Sequence, residues 1–223
     1  MRYLGLLAVL LTASHPLSAQ IISGAGSGVT EINQKTLNDG NPAIGDTTPG
    51  APITITVPGS YRFSSNIASG NVAVPGIEIN IANFAGLTLD LNGFALSGAS
   101  NLNGCVSSGN PVSTRTCPAP TAADGISVSG SNVTIRNGRV SNFAGHGIDC
   151  ANCTLSHLTT HSNLGYGIFA SFLSQVSDSV SRDNGFGGIS NGSGRVENST
   201  ASANSRYGIV AAHATDSTVN LTS

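Results

Sequence analysis

Apolar and polar residues alternate along much of this chain, in short segments that Gly and Asn separate. A Gly-Ile pair recurs at intervals of 20 to 22 residues, beginning at Gly125, Gly147, Gly167, Gly188 and Gly208. Alternation with a period of two predicts β-strands rather than helices. A unit of this size cannot bury its apolar face alone, but it can do so when stacked on copies of itself. An earlier unit begins at Gly76.

Stacking the units in register predicts columns of equivalent side chains along the interior. One column consists of Ile126, Ile148, Ile168, Ile189 and Ile209. Val133 and Cys153 begin a second column, and a third consists of Ile135, Leu155, Val176 and Val196. A further set of stacked amides is predicted at Asn163, Asn184 and Asn204. Coils about 4.8 Å apart would be joined by parallel ladder hydrogen bonds.

This pattern predicts an all-β fold, a right-handed single-stranded parallel β-helix with about 20–22 residues per coil. Leucine-rich repeats have a similar period, but their leucine consensus is absent, and propeller repeats are about twice as long. The hexapeptides of a left-handed β-helix are also absent. We therefore expect three short strands in each coil.

The β-helix is expected over residues 52–223, with a loop insertion at 101–123. Residues 1–19 have a positive start, a short apolar run and a small-residue cleavage site, which predict a signal peptide and a secreted or periplasmic protein without a membrane anchor in the mature chain. Residues 20–51 form a leader, and a short helix over Thr30–Leu37 is expected to cap the stack. The last coil lacks a capping pattern, which makes self-association through it a further expectation.

Three segments carry a family resemblance: "ITVPGSYRFSSNI", "GLTLDLNGFALSG" and "NVTIRNGRVSNF". They resemble exported right-handed parallel β-helix repeat proteins of the pectate-lyase-like superfold. The resemblance implies the fold from about Pro52 to the C-terminus. It implies no single activity, because that superfold includes lyases, hydrolases, epimerases and adhesins, so function must be argued from a site.

The composition narrows the class of ligand. The chain has 9 Lys and Arg, 11 Asp and Glu, a formal net charge of −2 and no Trp. No basic field is present to hold nucleic acid. Hydroxyl and amide groups are abundant, and they suit neutral sugar hydroxyls better than a strongly anionic polysaccharide. A polysaccharide or a cell-surface glycan is therefore the expected partner.

Four cysteines in an exported protein favour disulfides. Cys105 and Cys117 flank a loop-like segment and are expected to form a bridge. Cys150 and Cys153 should both point inward, and a local disulfide between them is favoured. Two alternatives are buried thiols and a metal site with His157 and His161, although the oxidising compartment counts against thiolate ligands. We expect no metal ion.

The triplet Gly145-His146-Gly147 resembles one motif of the polygalacturonases, but the other motifs of that family, Asn-Thr-Asp, Asp-Asp and Arg-Ile-Lys, are absent. The repeat assigns His146 instead to a column of aromatic residues that precede Gly-Ile. Aromatic rings at sheet spacing can bind the faces of sugars. The candidate carbohydrate-binding residues are Tyr166, Phe186, Tyr207 and His161, with Phe186 displaced by one position from the column.

A second candidate site combines charged residues of adjacent coils. His157 aligns with Asp178, and His161 aligns with Arg182, which precedes Asp183. In β-helix polysaccharide lyases, carboxylates bind calcium and a basic residue removes a proton. The candidate catalytic residues are therefore Asp178, Asp183, Arg182 and His157, with calcium as a cofactor only if the protein is a lyase and no cofactor otherwise.

Three hypotheses follow from these residues. The first is an exported β-helix module, without catalysis, that binds polysaccharide or a cell-surface partner. The second is a minimal or degenerate polysaccharide lyase or glycoside hydrolase. The third is a purely structural or adhesion segment.

Overall fold

A computed structural model describes residues 28–82, 86–100, 102, 105–108, 114–121 and 123–220. The fold is all-β, with parallel strands curled around a common axis, and this confirms the predicted parallel β-helix. The strands are β1 (Thr30–Ile32), β2 (Ile53–Ile55), β3 (Gly59–Phe63), β4 (Ile67–Ala68), β5 (Ile77–Asn80), β6 (Leu87–Asp90), β7 (Ala95–Ser97), β8 (Val106–Ser108), β9 (Thr114–Thr116), β10 (Ile126–Ser129), β11 (Val133–Ser141), β12 (Ile148–Ala151), β13 (Cys153–His161), β14 (Tyr166–Ser171), β15 (Gln175–Ser177), β16 (Val180–Arg182), β17 (Gly187–Glu197), β18 (Thr200–Ser202), β19 (Tyr207–Thr215) and β20 (Thr218–Asn220).

Three parallel ladders run along the stack, one on each side of the coil. The first joins β2, β5, β10, β12, β14, β17 and β19. The second joins β1, β3, β6, β11, β13, β15, β17 and β19. The third joins β4, β7, β11, β13, β16, β18 and β20. Each coil thus obtains its backbone hydrogen-bond partners from the coils on either side.

The predicted interior columns are confirmed. Ile126, Ile148 and Ile168 follow one another in register and are fully buried. The column continues through Ile189, which is also buried, to Ile209. The third predicted column is in register too, from Ile135 through Leu155 and Val176 to Val196. Alternate residues of each strand therefore point inward and form one continuous core.

Residues with positive φ turn the chain at the corners of the coils. The corner between the second and third ladders uses Asn137, His157, Asp178 and Asn198. Asn and Asp tolerate this left-handed conformation better than other residues that have a Cβ, because their short polar side chains bond to nearby backbone. The strands on either side of these residues are in register, so the corner residues occupy equivalent positions in successive coils.

The predicted amide ladder is present in the interior. Asn163 Nδ2 donates to Asn184 Oδ1 at 3.1 Å, and Asn184 Nδ2 donates to Asn204 Oδ1 at 3.0 Å. Each accepting oxygen also receives the backbone N–H of the donor residue, at 3.2 Å for Asn163 and 3.0 Å for Asn184. Because every amide is buried and bonded to the next, the ladder locks the register of these coils.

The N-terminal segment differs from the expected helix over Thr30–Leu37. The helix, α1, spans Gln34–Asp39, and Thr30–Ile32 instead forms β1, which pairs with β3. The difference arises at Asn33, whose side chain accepts the backbone N–H groups of Lys35 and Thr36 and so starts the helix later. A short 3₁₀ helix follows over Pro42–Ile44. Within the described residues, no helix is long and apolar enough to cross a membrane.

The insertion also adopts its own structure. Strands β8 and β9 pair antiparallel, apart from the main sheet. The predicted disulfide between Cys105 and Cys117 is present and closes this hairpin.

Replacing Asn184 with Ala tests the amide ladder. We expect the free energy of unfolding to fall by about 2–4 kcal/mol, because the change removes buried hydrogen bonds and leaves the Asn163 N–H without an acceptor. Urea denaturation measures the change. Asn220→Ala, at an exposed position, is the matched control and should shift stability by less than about 0.5 kcal/mol. Equal stability of the two variants would show that the ladder does not hold the coils.

Candidate functional site

The charged residues singled out in the sequence lie at two corners of the stack. His157 and Asp178 occupy equivalent left-handed positions in neighbouring coils, and both are exposed. Asn198 Nδ2 lies 3.4 Å from Asp178 Oδ1. At the other end of β16, Arg182 forms an ion pair with Asp183 at 2.7 Å and lies in register beside His161. Burial and the Arg182 charge lower the pKa of His161.

This arrangement separates the two candidate carboxylates. Asp178 precedes β16 and Asp183 follows it, so roughly 15 Å of extended chain lies between their Cα atoms. Glycosidases hold their two carboxyl groups about 5 to 9.5 Å apart. Asp183 is also neutralised by Arg182. A joint catalytic role for these two residues stays a prediction, and their placement at different corners gives it little support.

The local disulfide expected between Cys150 and Cys153 is wrong. Both residues are free thiols buried in the core, where Cys150 aligns with Ala170 and Cys153 with Val133. Burial raises the pKa of Cys150 well above the ordinary thiol value, with a hydrogen bond to Cys153 as the next cause. Since disulfide formation needs a thiolate, this environment disfavours reaction of the Cys150 thiol.

An aromatic cluster occupies one side of the stack. We call it the aromatic face and define it as His146, Tyr166, Phe169, Phe186 and Tyr207. The rings of His146 and Phe169 stack with centroids 4.8 Å apart, and Tyr166 meets Phe186 edge-on at 5.0 Å. Tyr207 is 46% exposed, and the other four rings are partly exposed. The face therefore presents ring surface to solvent across successive coils.

The register explains the predicted displacement of Phe186. Tyr166 and Tyr207 are aligned through Gly187, the residue that follows Phe186. A Cβ atom at Gly187 would lie 2.4 Å from the Tyr166 ring, so only glycine fits between the two tyrosines. Phe186 then reaches the cluster from the adjacent position, with the Arg206 guanidinium 4.9 Å from its ring centre.

Two hydrogen bonds that involve backbone N–H groups hold His146, the first residue of the aromatic face, in place. His146 Nδ1 accepts the Tyr166 N–H at 2.9 Å, and Asp124 Oδ1 accepts the His146 N–H at 2.6 Å. Because Nδ1 is an acceptor, the His146 ring is neutral and carries its proton on Nε2. Burial lowers the pKa of His146, which favours the same neutral form.

Three carboxyl groups beside the aromatic face were not among the residues chosen from the sequence. Asp149 points outward from β12, in register with Ser127 on one side and Phe169 on the other. Glu78 occupies the next outward position beyond Ser127. Asp124 lies just before β10, in the corner beneath His146. The repeat alignment places Glu78 and Asp149 each one position after an isoleucine of the first ladder, which indicates that they point outward but not how deeply they are buried.

Burial makes Asp124 the most perturbed of these carboxyl groups. The side chain is only 5% exposed, and burial together with the nearby Asp149 charge raises the pKa of Asp124 from 3.8 to about 6. The hydrogen bond from the His146 N–H acts in the opposite direction. Burial also raises the pKa of Asp149. The two carboxyl groups thus share a poorly solvated site next to the rings.

The end of the insertion runs along the stack on this side. Thr121 N–H donates to Ala144 O, and Gly145 N–H donates to Ala123 O, both at 2.9 Å. Cys117 lies farther along, with Sγ 3.9 Å from Ser205 Oγ. A Cβ atom at Gly185 would lie 2.8 Å from the same sulfur. The insertion therefore crosses several coils beside the aromatic face, and its disulfide lies near the Phe186 end.

Within the described part of the chain, no group of three or more His, Cys, Asp or Glu residues could hold a metal ion. No protein family, curated protein or solved structure matches the chain. The role of the site must therefore be argued from its own residues. These offer partly exposed aromatic surface, two carboxyl groups and the small side chains of Ser127 and Ser190.

Replacing Asp124 with Asn tests the perturbed carboxyl. Between pH 4 and 6 the folded protein retains a proton that the unfolded chain releases, so the wild-type free energy of unfolding should fall by up to about 3 kcal/mol as pH rises. Asn keeps an oxygen acceptor for the His146 N–H and does not titrate. The free energy of unfolding of the variant, measured by urea denaturation, should therefore match that of wild type near pH 4 and exceed it at pH 7.5.

The control is Asp216→Asn, at an exposed turn. Parallel pH profiles for wild type and Asp124→Asn would refute the burial argument.

Proposed function

We propose that the protein is an exported β-helix module that binds polysaccharide or a cell-surface glycan through the aromatic face. The observation that carries the proposal is the continuous set of partly exposed rings on one side of the stack. The C–H faces of sugar rings pack well on aromatic surfaces, and aromatic rings contribute large contact areas at binding sites. A column of rings along the axis suits an extended chain of sugars.

Polar groups next to the rings supply the hydrogen bonds that such a ligand needs. The outward residues of the first ladder run from Glu78 through Ser127, Asp149 and Phe169 to Ser190. Carboxylates accept hydrogen bonds from sugar hydroxyls, and serine hydroxyls both accept and donate them. Of the residues chosen from the sequence, Tyr166, Phe186 and Tyr207 belong to this site, whereas His161 lies in register with Arg182 on the third ladder.

Export and family membership are parts of the same proposal. The signal-peptide pattern of residues 1–19 supports a secreted or periplasmic location, and the quoted segments support membership of the pectate-lyase-like superfold. Self-association through the last coil stays a prediction from the sequence. A purely structural or adhesion role would leave the aromatic face without a sugar ligand.

A second candidate function is hydrolysis of a glycosidic bond, and one observation favours it. Asp124 and Asp149 are neighbouring carboxyl groups, and the pKa of Asp124 is raised to about 6. Glycosidases use one protonated and one ionised carboxyl group. Unlike Asp178 and Asp183, which lie at opposite ends of β16, these two carboxyl groups are close enough for their charges to interact. A lyase would in addition require calcium or another cation.

Truncating the rings tests the binding proposal. An array of purified cell-wall oligosaccharides identifies a ligand, and calorimetry then measures its affinity. Tyr166→Ala and Phe169→Ala should each weaken binding about tenfold, because each removes a stacking surface worth about 1.4 kcal/mol. Phe172→Ala is the matched control, because Phe172 is 64% exposed but lies outside the aromatic face. Equal loss in all three variants, or no ligand on the array, would refute the proposal.

An assay for reducing and unsaturated ends separates binding from catalysis. The binding module predicts no product from any oligosaccharide that it binds. Product that disappears in Asp149→Asn would instead establish the hydrolase. If product formation is lost only in Asp178→Asn and Asp183→Asn, catalysis would be assigned to the residues at the two ends of β16.

A further inference from the structure

The carboxyl groups beside the aromatic face form no ion pair with any residue that the structure describes. Ion pairs elsewhere join Lys35 to Asp39, Arg62 to Glu31, Arg136 to Asp90, Arg182 to Asp183 and Arg195 to Glu197. None of the ion pairs among the described residues includes Glu78, Asp124 or Asp149. The neighbouring His146 is a neutral ring, because its Nδ1 accepts a backbone hydrogen bond. The Arg206 guanidinium packs on Phe186 and takes part in none of these ion pairs. Among the described residues, the three carboxyl groups are therefore not paired with a cation.

Among the described residues, only one oxygen of Asp124 has a hydrogen-bond partner. Its Oδ1 accepts the His146 N–H at 2.6 Å, and no described residue donates a hydrogen bond to Oδ2. The residue is more than nine-tenths buried, and it lies close enough to Asp149 for the two charges to interact. A buried carboxylate is costly unless it is paired or hydrogen-bonded. A cation bound between the two carboxyl groups would remove that cost.

The aromatic rings favour the same kind of ligand. Phe169 is in register with Asp149, and it stacks on His146 and lies 5.5 Å from Tyr166 between ring centres. Ammonium groups are attracted to the faces of aromatic rings, and most strongly where water is partly excluded. The site thus combines two carboxyl groups with ring faces, which is the chemistry that recognises an organic ammonium ion.

We infer that the aromatic face binds an amino-sugar glycan, with a protonated ring amine held by Asp124 and Asp149 and the adjoining sugar faces packed on Phe169 and Tyr166. This inference rests on the proposed glycan-binding function and names the class of sugar. A neutral acetamido sugar could use the rings but could not neutralise the carboxyl pair. The carboxyl groups therefore discriminate between a free amine and its acetylated form.

Two oligosaccharides of equal length test the inference: a glucosamine oligomer and its fully N-acetylated counterpart. Calorimetry at pH 6.5 should show the glucosamine oligomer binding at least tenfold more tightly, because a charge-assisted hydrogen bond is about twice as strong as a neutral one. Asp149→Asn should abolish this preference, because it should weaken binding of the glucosamine oligomer far more than binding of the acetylated oligomer. Asp124→Asn should act in the same way and keeps the acceptor for the His146 N–H. Asp216→Asn is the matched control and should retain the full preference.

The outcomes separate this inference from the function on which it rests. Equal affinity for the two oligomers in the wild type would overturn the inference and leave glycan binding intact. Binding of neither oligomer, with another glycan bound in a ring-dependent manner, would also overturn it. Binding of a lysine peptide in place of both oligomers would overturn the inference and the proposed function together. A preference unaffected by either carboxyl substitution would show that the amine lies elsewhere.

Discussion

Parallel pairing in register between successive coils is the constraint on which the rest of the molecule depends. A strand of three to five residues, such as β15 or β16, cannot satisfy its own backbone groups, and each one obtains its partners from the coils above and below. The same register aligns the isoleucines of the interior and brings the buried amides of Asn163 and Asn184 together. A slip of one residue would turn every inward side chain outward.

The site is a consequence of this register rather than an addition to it. The outward positions of the first ladder place Asp149 beside Phe169, although the two residues are 20 positions apart in the sequence. Gly187 leaves room for the rings of Tyr166 and Tyr207 on either side of it. Phe186, one position earlier, therefore packs at the edge of the cluster. Burial at the corner then perturbs Asp124. Packing, ring geometry and electrostatics therefore follow from one alignment of the coils.

Repetition made the fold and part of the site predictable. The interior columns, the amide ladder and the displacement of Phe186 could be derived because each is a matter of alignment between units. Asp124 and Asp149 were missed because their importance depends on depth of burial, which alignment does not report. The prediction of a disulfide between Cys150 and Cys153 was wrong for a related reason. The spacing allowed a bridge, but the dry core that suppresses the thiolate is a tertiary property.

Disulfide trapping between outward positions tests the register most directly. Thr154, Gln175 and Arg195 are aligned in three successive coils, so neighbouring Cα atoms should lie about 4.8 Å apart and the outer two nearly twice that distance. A disulfide requires Cα atoms roughly 4.4–6.8 Å apart. Thr154→Cys combined with Gln175→Cys should therefore cross-link rapidly under mild oxidation, whereas Thr154→Cys combined with Arg195→Cys should not. Cross-linking of the second pair, or of neither, would contradict the stacked register and everything inferred from it.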